Sequence, residues 1–374
     1  MRIWIDGIEA NVRQRLGSGQ VAFELLRNLY KLDQKNDYTI LLSDAPLEDL
    51  PAERENWHYK IVRPARLRTR IGLPLAILLS KEKPDVFFSP THYGPAFTKV
   101  KQVISIFDLA FVDFPEMFEK SELWKLVNWT KASVKRASKI ITISESTKNH
   151  IVSEYAVARS KVTVAYPGHS EAYHQISDKQ KIAEVINKYA VEGPYVLFIG
   201  TIQPRKNLLR LIESFRSLKG VKLVVVGKIT GEGKQGWKYD EILRKPKEMG
   251  IENRVIFTGY VPDEDMPYLM NGATAFALPS LWEGFGIPVV DAMSCGVPVI
   301  VSNTSSLPEV AGDAGLFVDP KSVDHIEQAL RLILTDAKLR QRKSKLGLEQ
   351  AKKFSWEKMA KQVLKVLEEV GGHS

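Results

Sequence analysis

Tyr195-Val196-Leu197-Phe198-Ile199-Gly200-Thr201-Ile202-Gln203-Pro204-Arg205-Lys206-Asn207 is the stretch on which the fold turns. The apolar run Tyr195–Ile199 stops at a glycine, as expected of a strand buried on both faces. Gly200 lets the chain turn sharply, and a helix-period run, Leu208–Leu218, follows. Strand, glycine turn and helix make one unit of a parallel α/β sheet. Free backbone N–H groups at the start of the helix favour an anion, and Arg205 and Lys206 add two cations beside them. Cations there oppose the helix dipole, so an ordinary solvated surface would sooner place Asp or Glu. Each charge-assisted hydrogen bond is worth about 1.5–3 kcal/mol, so two arms plus a helix end can hold a diphosphate.

Reading outward, the same grammar recurs on both sides. Downstream lie the apolar runs Leu223–Val226, Val255–Phe257, Ala275–Leu278, Val297–Val301 and Gly315–Val318. Upstream lie Arg2–Asp6, Tyr38–Ser43, His58–Val62, Val86–Ser89, Val103–Phe107, Ile140–Ser144 and Val162–Ala165, with helix-period stretches such as Val21–Lys31 and Leu123–Ala137 between them. The pattern predicts an α/β fold of two doubly wound, Rossmann-like domains, residues 1–170 and 171–355. An amphipathic terminal helix within 356–374 could pack back on the first. Ligands of such sheets sit outside the carboxyl ends of the strands, and two sets of ends would face one interdomain cleft. A chain of 374 residues suits two domains of roughly 100–200 residues each.

The second chemical signal follows the run Ala275–Leu278. It reads Pro279-Ser280-Leu281-Trp282-Glu283-Gly284-Phe285-Gly286-Ile287-Pro288-Val289-Val290-Asp291. Proline suits the first turn of a helix, so a glycine-flanked loop should give way to a helix near Pro288. Glu283 falls in the loop and Asp291 on the helix, where two carboxylates could reach one ligand from different sides. Sugar and ribose hydroxyls are good donors to carboxylates. Otherwise Glu283 is a loop acid and Asp291 a helix-surface acid.

These segments resemble the donor site of family 4 of the retaining glycosyltransferases, which have the GT-B fold of two facing Rossmann-like domains. The similarity extends to Val162–Gly168, to Phe257-Thr258-Gly259-Tyr260-Val261 and to Ser302–Gly315, so it spans nearly the whole chain. The resemblance implies that Arg205 and Lys206 bind the donor diphosphate and offset the charge that grows on the leaving group, while Glu283 lies beside the transferred sugar. It implies that backbone groups of Gly284, Phe285, Gly286 and Ile287 hold the donor, and that Asp291 takes the place of a ribose-binding acid that is usually Glu. The segment 306–315 is most similar to bacterial mannosyltransferases of surface-polysaccharide assembly. The implied reaction is therefore transfer of a hexose, first mannose from GDP-mannose, to a glycan or lipid-linked acceptor.

In the first half, Gly17-Ser18-Gly19 precedes the helical run Val21–Lys31. The family places a similar glycine loop, here Gly17 and Gly19, against the donor phosphates. Ile104-Ser105-Ile106-Phe107-Asp108-Leu109 resembles a strand end where many members read His-Asp-Leu. Phe107 replaces that histidine and offers only packing to a donor sugar, whereas Asp108 is retained as a polar contact. His92, after the run Val86–Ser89, is a further candidate for acceptor or sugar contact.

Other signals point to ordinary structure. Asp263-Glu264-Asp265 has a metal-site spacing but precedes a helical run, where acids cap and fill the first turn. Gly168-His169-Ser170-Glu171-Ala172 lacks the closing glycine of a nucleophile elbow. With no His-Glu-x-x-His and no cysteine cluster, neither metal nor cofactor is expected. The net charge of +9 suits an anionic ligand or an anionic membrane surface, while the aromatic-interleaved modules of nucleic-acid binding are missing. Trp124, Trp129, Lys125, Lys131, Lys135 and Arg136, with Arg63, Arg66, Arg68 and Arg70 upstream, could touch anionic headgroups.

The single cysteine, Cys295, fits a reducing compartment. The early polar residues after Met1 do not read as a signal peptide, and Ile71–Leu79 is far shorter than the ~20 residues that span a bilayer. A cytoplasmic enzyme is expected, with a GDP- or UDP-linked sugar as donor and peripheral membrane contact at most. A nucleotide-sugar epimerase of the same architecture is an alternative, and so is a degenerate protein that binds the nucleotide sugar without transfer.

Overall fold

A computed structural model describes residues 1–15, 17–65, 67–227 and 239–372. The chain divides into two compact units, Met1–Gly168 together with the segment from Ser355, and His169–Phe354.

The first unit is built on a seven-stranded sheet. Its strands are β1 (Arg2–Asp6), β2 (Asp37–Leu42), β3 (Trp57–Ile61), β4 (Val86–Ser89), β5 (Lys101–Ser105), β6 (Lys139–Thr142) and β7 (Val162–Val164). They lie in the order β3-β2-β1-β4-β5-β6-β7, and every pair is parallel. The second unit holds β8 (Tyr195–Ile199), β9 (Lys222–Val226), β10 (Val255–Gly259), β11 (Ala275–Leu278), β12 (Val299–Ser302) and β13 (Gly315–Val318), in the order β10-β9-β8-β11-β12-β13. These six strands are also all parallel. Parallel strands covered on both faces read as continuous apolar runs, and the fully buried Val86–Phe88 and Ala275–Leu278 are of that kind.

In each sheet the order reverses beside the first strand, between β1 and β4 and between β8 and β11. Helical connections leave to opposite sides at such a point and open a crevice at the carboxyl ends. The segments after β8 and β11 carry the two motifs read from the sequence, so the topology brings them to one edge.

Strand boundaries differ from the sequence expectation by up to two residues. Lys101 pairs with Val86 at the start of β5, because the backbone ladder does not depend on an apolar side chain. Two helices also differ. The first runs from Ser18 to Leu32, so Ser18 and Gly19 lie inside it and Gly17, at φ 52°, is its N-cap. The helix after Asn207 ends at Ser214, not Leu218.

The terminal helix Trp356–Gly371 starts at Ser355, whose hydroxyl accepts from the Lys358 amide. It buries Trp356, Met359, Val363, Val366, Leu367 and Val370, each worth on the order of 1.5–3 kcal/mol. It packs on the Ser18–Leu32 helix and on β4 and β5, and Lys139 pairs with Glu369 at 2.8 Å. Among the described residues no helix is long and apolar enough to cross a membrane.

Candidate active site

The turn after β8 is tight because three strand ends crowd there. A Cβ on Gly227, beyond β9, would overlap the Gly200 carbonyl, and the Gly227 amide donates to Gly259 O at 3.2 Å. Only glycine fits such a backbone approach. The chain then makes a short 3₁₀ turn, Pro204–Lys206, and passes through Asn207 in the left-handed region at φ 60°. Asparagine tolerates that conformation. Its buried Nδ2 donates to Pro279 O at 2.9 Å and to Pro320 O at 2.6 Å, which ties the turn to the loops beyond β11 and β13.

Arg205 and Lys206 therefore belong to a separate turn rather than to the first turn of a long helix. A carboxylate, not a helix end, holds them. Glu283 Oε1 accepts from Lys206 Nζ at 2.6 Å and from Ser280 Oγ at 2.6 Å, and its Oε2 lies 3.4 Å from Arg205 Nη1. Arg205 Nη1 also donates to Trp282 O at 3.0 Å, while Arg205 O accepts from the Leu281 amide at 2.7 Å. Glu283 is only 5% exposed. Burial alone would raise its pKa, but Lys206 and Arg205 outweigh burial and hold the carboxyl below its usual range. One carboxylate against two cations leaves the cluster a formal excess of one positive charge.

The loop that presents Glu283 is fixed by serines. Ser306 Oγ lies within hydrogen-bonding distance of Glu283 O, at 2.9 Å, and of Phe285 O, at 3.1 Å, and Ser305 Oγ accepts from the Glu283 amide at 3.1 Å. Ser302 Oγ donates to Ser280 O at 2.5 Å. The Phe285 ring is buried edge-on to Phe354 with centroids 5.3 Å apart, so only its backbone remains for a ligand. Gly286, at φ 95°, caps the helix Ile287–Ser294, and a Cβ there would meet Leu307 at 2.8 Å.

Asp291 lies on that helix and is 8% exposed, so it is not a helix-surface acid. Its Oδ1 is buried without a hydrogen-bond partner, and burial pushes its pKa well above the carboxylate range. The two acids are thus driven in opposite directions, Glu283 toward the ionised form and Asp291 toward the neutral one.

In the first unit, His92 Nε2 lies 3.2 Å from Asp108 O, and its ring packs near Phe111. Asp108 Oδ1 accepts from the Ala110 amide at 3.0 Å. Phe107 is buried, and its carbonyl accepts from Thr147 Oγ1 at 3.3 Å. A Cβ on Gly19 would stand 3.0 Å from Glu9 O, so this glycine allows the 9–15 loop to lie close over the helix. Glu9 was not singled out from the sequence. Burial and the neighbouring Asp6 raise its pKa, and His92 opposes them.

Two expectations are corrected. Arg68 is not a surface cation: it is buried, bonds Asp6 Oδ1 through Nε at 3.2 Å and Nη2 at 3.1 Å, and reaches Leu42 O and Val62 O. Asp265 occupies an N-cap position without capping, because its carboxylate is taken by Tyr189 OH at 2.7 Å and Lys188 Nζ at 3.2 Å. Arg66, also read as part of the basic run, lies outside the described residues. The sequence reading also passed over Asn207 as a clamp, and over Ser280, Ser305 and Ser306. Ser305 and Ser306 stand in a dense run of serines directly after β12, which does not by itself mark their partners.

The glycosyl transferases group 1 family matches residues 178–350, and Glycosyltransferase Family 4 matches residues 17–172. O-antigen chain mannosyltransferase B of Escherichia coli is 34% identical over 310 residues, covering 82% of this chain and 78% of that one. The serotype-specific mannosyltransferase WbdA of Escherichia coli is 31% identical over 232 residues, 60% of this chain but only 28% of that longer protein. Sucrose-phosphate synthase from Thermosynechococcus elongatus superposes with a TM-score of 0.79 at 17% identity over 100% of both chains. HepE of Anabaena, solved in complex with UDP and glucose, superposes at 0.75 with 18% identity over 98% of this chain and 99% of that one. Sequence and architecture agree: this chain is a glycosyltransferase of the GT-B fold and belongs to glycosyltransferase family 4.

Proposed function

We propose that the chain transfers a mannosyl residue from GDP-mannose, with retention of anomeric configuration, to a growing surface glycan or its lipid-linked precursor. The Arg205–Lys206–Glu283 cluster at the carboxyl ends of β8 and β11 carries this reading. Supporting it is the similarity to the two Escherichia coli relatives, both mannosyltransferases.

In this reading Arg205 and Lys206 bind the donor diphosphate, and their charge offsets the negative charge that builds on the leaving oxygen. Such preorganised stabilisation is often the largest single contribution to transfer chemistry. Glu283 keeps both cations oriented and stands beside the transferred sugar. Backbone groups from Gly284 to Ile287, at the start of the Ile287–Ser294 helix, hold sugar or phosphate oxygens. The orphan Oδ1 of Asp291 accepts from a ribose hydroxyl, which would satisfy a buried acceptor. In the first unit, Gly17 and Gly19 are the candidates for phosphate contact and His92 and Asp108 for sugar or acceptor contact, with Phe107 offering only packing.

The acceptor oxygen bonds to the anomeric carbon on the face from which the phosphate leaves. Its proton passes to the departing phosphate oxygen, so no protein base is needed. Turnover with radiolabelled GDP-mannose in Lys206→Ala and Glu283→Ala is the test. Near-normal transfer in both variants would exclude the assigned site. An epimerised nucleotide sugar, or donor bound and returned unchanged, would replace transfer with another activity.

A further inference from the structure

The chain passes between its two units twice, once at Gly168–His169 and once at Phe354–Ser355. The second crossing is closely held. On its far side, a Cβ on Gly168 would stand 2.2 Å from Trp356 N and 2.8 Å from Ser355 Cα, so the backbone at 355–356 lies directly against that glycine. No larger residue fits without a shift. Ser355 then caps the terminal helix and Trp356 is buried, which fixes the chain beyond the crossing. On its near side, the Phe354 amide donates to Ala351 O at 3.0 Å and closes a turn at the end of the helix Ala337–Ala351.

That helix is fastened to the elements that carry the donor loop. Gly347 lets it approach the helix Ile287–Ser294, since a Cβ there would already stand 3.3 Å from Met293 Cγ. Gln350 Nε2 donates to Val310 O at 3.0 Å, in the short helix that follows Ser306. At the end of this run stands Phe354, 5% exposed, whose ring meets the Phe285 ring at an interplanar angle of 81°. Edge-to-face packing of this kind is a favoured geometry for two rings. Phe285 is flanked by Gly284 and Gly286, so between Glu283 and Ile287 it supplies the only side chain. Ser306 holds its carbonyl, and Phe354 meets its ring.

We propose that Phe354 is a positioning residue for the nucleotide-sugar site: without contacting the donor, its ring holds the Phe285 ring and so sets where the backbone groups of 284–287 point. Two glycines leave that backbone free to swing about the Phe285 side chain, and a ring lodged against a fixed neighbour removes the swing. Backbone groups aimed in advance need no reordering when the donor arrives. Phe354 suits this task because the turn at Ala351 and the packing of Ser355 and Trp356 on Gly168 hold it from both directions. The inference rests on the donor reading proposed above. A Phe354 that served only as core packing would support stability and leave the donor affinity of the folded protein unchanged.

The test is a double-mutant cycle read by titration calorimetry at low temperature, where each variant is folded. GDP-mannose and UDP-glucose are both titrated, and the cycle is run with whichever the native chain binds. Phe354→Leu and Phe285→Leu should each weaken donor binding about tenfold, the upper range for an aromatic pair. The double variant should also be weakened about tenfold rather than a hundredfold, because both changes remove one contact. In steady state, Phe354→Leu should raise the KM for the donor while kcat and the KM for the acceptor stay nearly native. Val185→Ala, a core loss on the helix Lys179–Lys188, should lower the melting temperature and leave donor affinity native. The inference is overturned if Phe354→Leu binds the donor like the native chain, if the double variant loses a hundredfold, or if Val185→Ala weakens donor binding as much. Lys206→Ala separates this from the donor assignment. If that variant binds like the native chain, or if the native chain binds neither nucleotide sugar, the assigned site is wrong and this inference falls with it. If Lys206→Ala loses binding and Phe354→Leu keeps it, only the role of Phe354 is refuted.

Discussion

Lys206 and Glu283 form a 2.6 Å ion pair although 77 residues separate them, because β8 and β11 are neighbours in the second sheet. The pair fixes the positive cluster in place before any anion arrives. Arg205 and Trp282 repeat the link with a side-chain-to-backbone bond at 3.0 Å. Two loops that the order of the chain keeps apart are thus joined at the point where the sheet reverses.

Removing either partner strands a buried charge, which costs about 3–5 kcal/mol. Lys206→Ala and Glu283→Gln should each lower the melting temperature, by about 2–4 °C per kcal/mol for a unit of this size. Transfer should fall by about a hundredfold or more in each, the usual cost of losing one preorganised charge. The Lys206→Ala/Glu283→Gln double variant should lose less stability than the two single changes added together, since both act on one interaction. Additive losses in thermal denaturation would show that the two residues act independently.

Asp291 and Glu283 should impose opposite pH dependence on stability. Glu283 has a lowered folded-state pKa, so its contribution is full above the ordinary glutamate value of 4.5 and is lost as pH falls through the folded value. Asp291 has a raised folded-state pKa. Its contribution is full below 3.8 and is lost as pH rises through the folded value. Asp291→Asn removes that cost, so the variant should be more stable than the native chain at neutral pH and the gain should vanish in acid. If Asp291 accepts from the ribose, the same change should raise the KM for the donor while kcat moves little. Thermal melts from acid to neutral pH, paired with donor titrations, read both effects.

Ser306→Ala should act on the loop rather than on charge. It removes the donor shared by the Glu283 and Phe285 carbonyls, and a buried group left unpaired costs about 1–3 kcal/mol. Backbone groups of 284–287 would then be less well aimed. The expected signature is a raised KM for the nucleotide sugar with the pH profile unchanged. Binding measured by titration calorimetry should weaken in step, whereas a purely global destabilisation would leave donor affinity at low temperature intact.

The thirteen strands of the described residues were legible because doubly covered parallel strands are apolar almost without interruption. Their ends were less so. Asp37, Lys101, Lys139 and Lys222 each begin a strand, since the ladder uses backbone groups and ignores the side chain. The residue types of the donor site were legible as well, for Arg205, Lys206 and Glu283 stand where a turn must leave the sheet. Their mutual pairing was not, because it depends on which strands become neighbours. Ser306 and Asn207 act through one or two hydrogen bonds to backbone carbonyls, and nothing in their local spacing marks that. Arg68 was misread for a related reason: a cation in a basic run is normally solvated, and its partner Asp6 lies 62 residues upstream.

Arg68 and Asp6 give the last prediction. Arg68 joins the carboxyl ends of three strands, contacting Asp6 of β1, Leu42 O at the end of β2 and Val62 O just beyond β3. Burial raises the pKa of Asp6 more than the charge and hydrogen bonds of Arg68 lower it. Arg68→Met should destabilise the first unit by about 3–5 kcal/mol, because it leaves Asp6 buried without its counter-charge. Asp6→Asn/Arg68→Met should recover much of that loss, since two buried ions are replaced together and the asparagine can still hydrogen-bond. The residual deficit should reflect the strand-end carbonyls that Arg68 served. Denaturant titrations of the single and double variants decide the matter: if the double variant is no more stable than Arg68→Met, the arginine acts through the carbonyls alone and the ion pair contributes nothing.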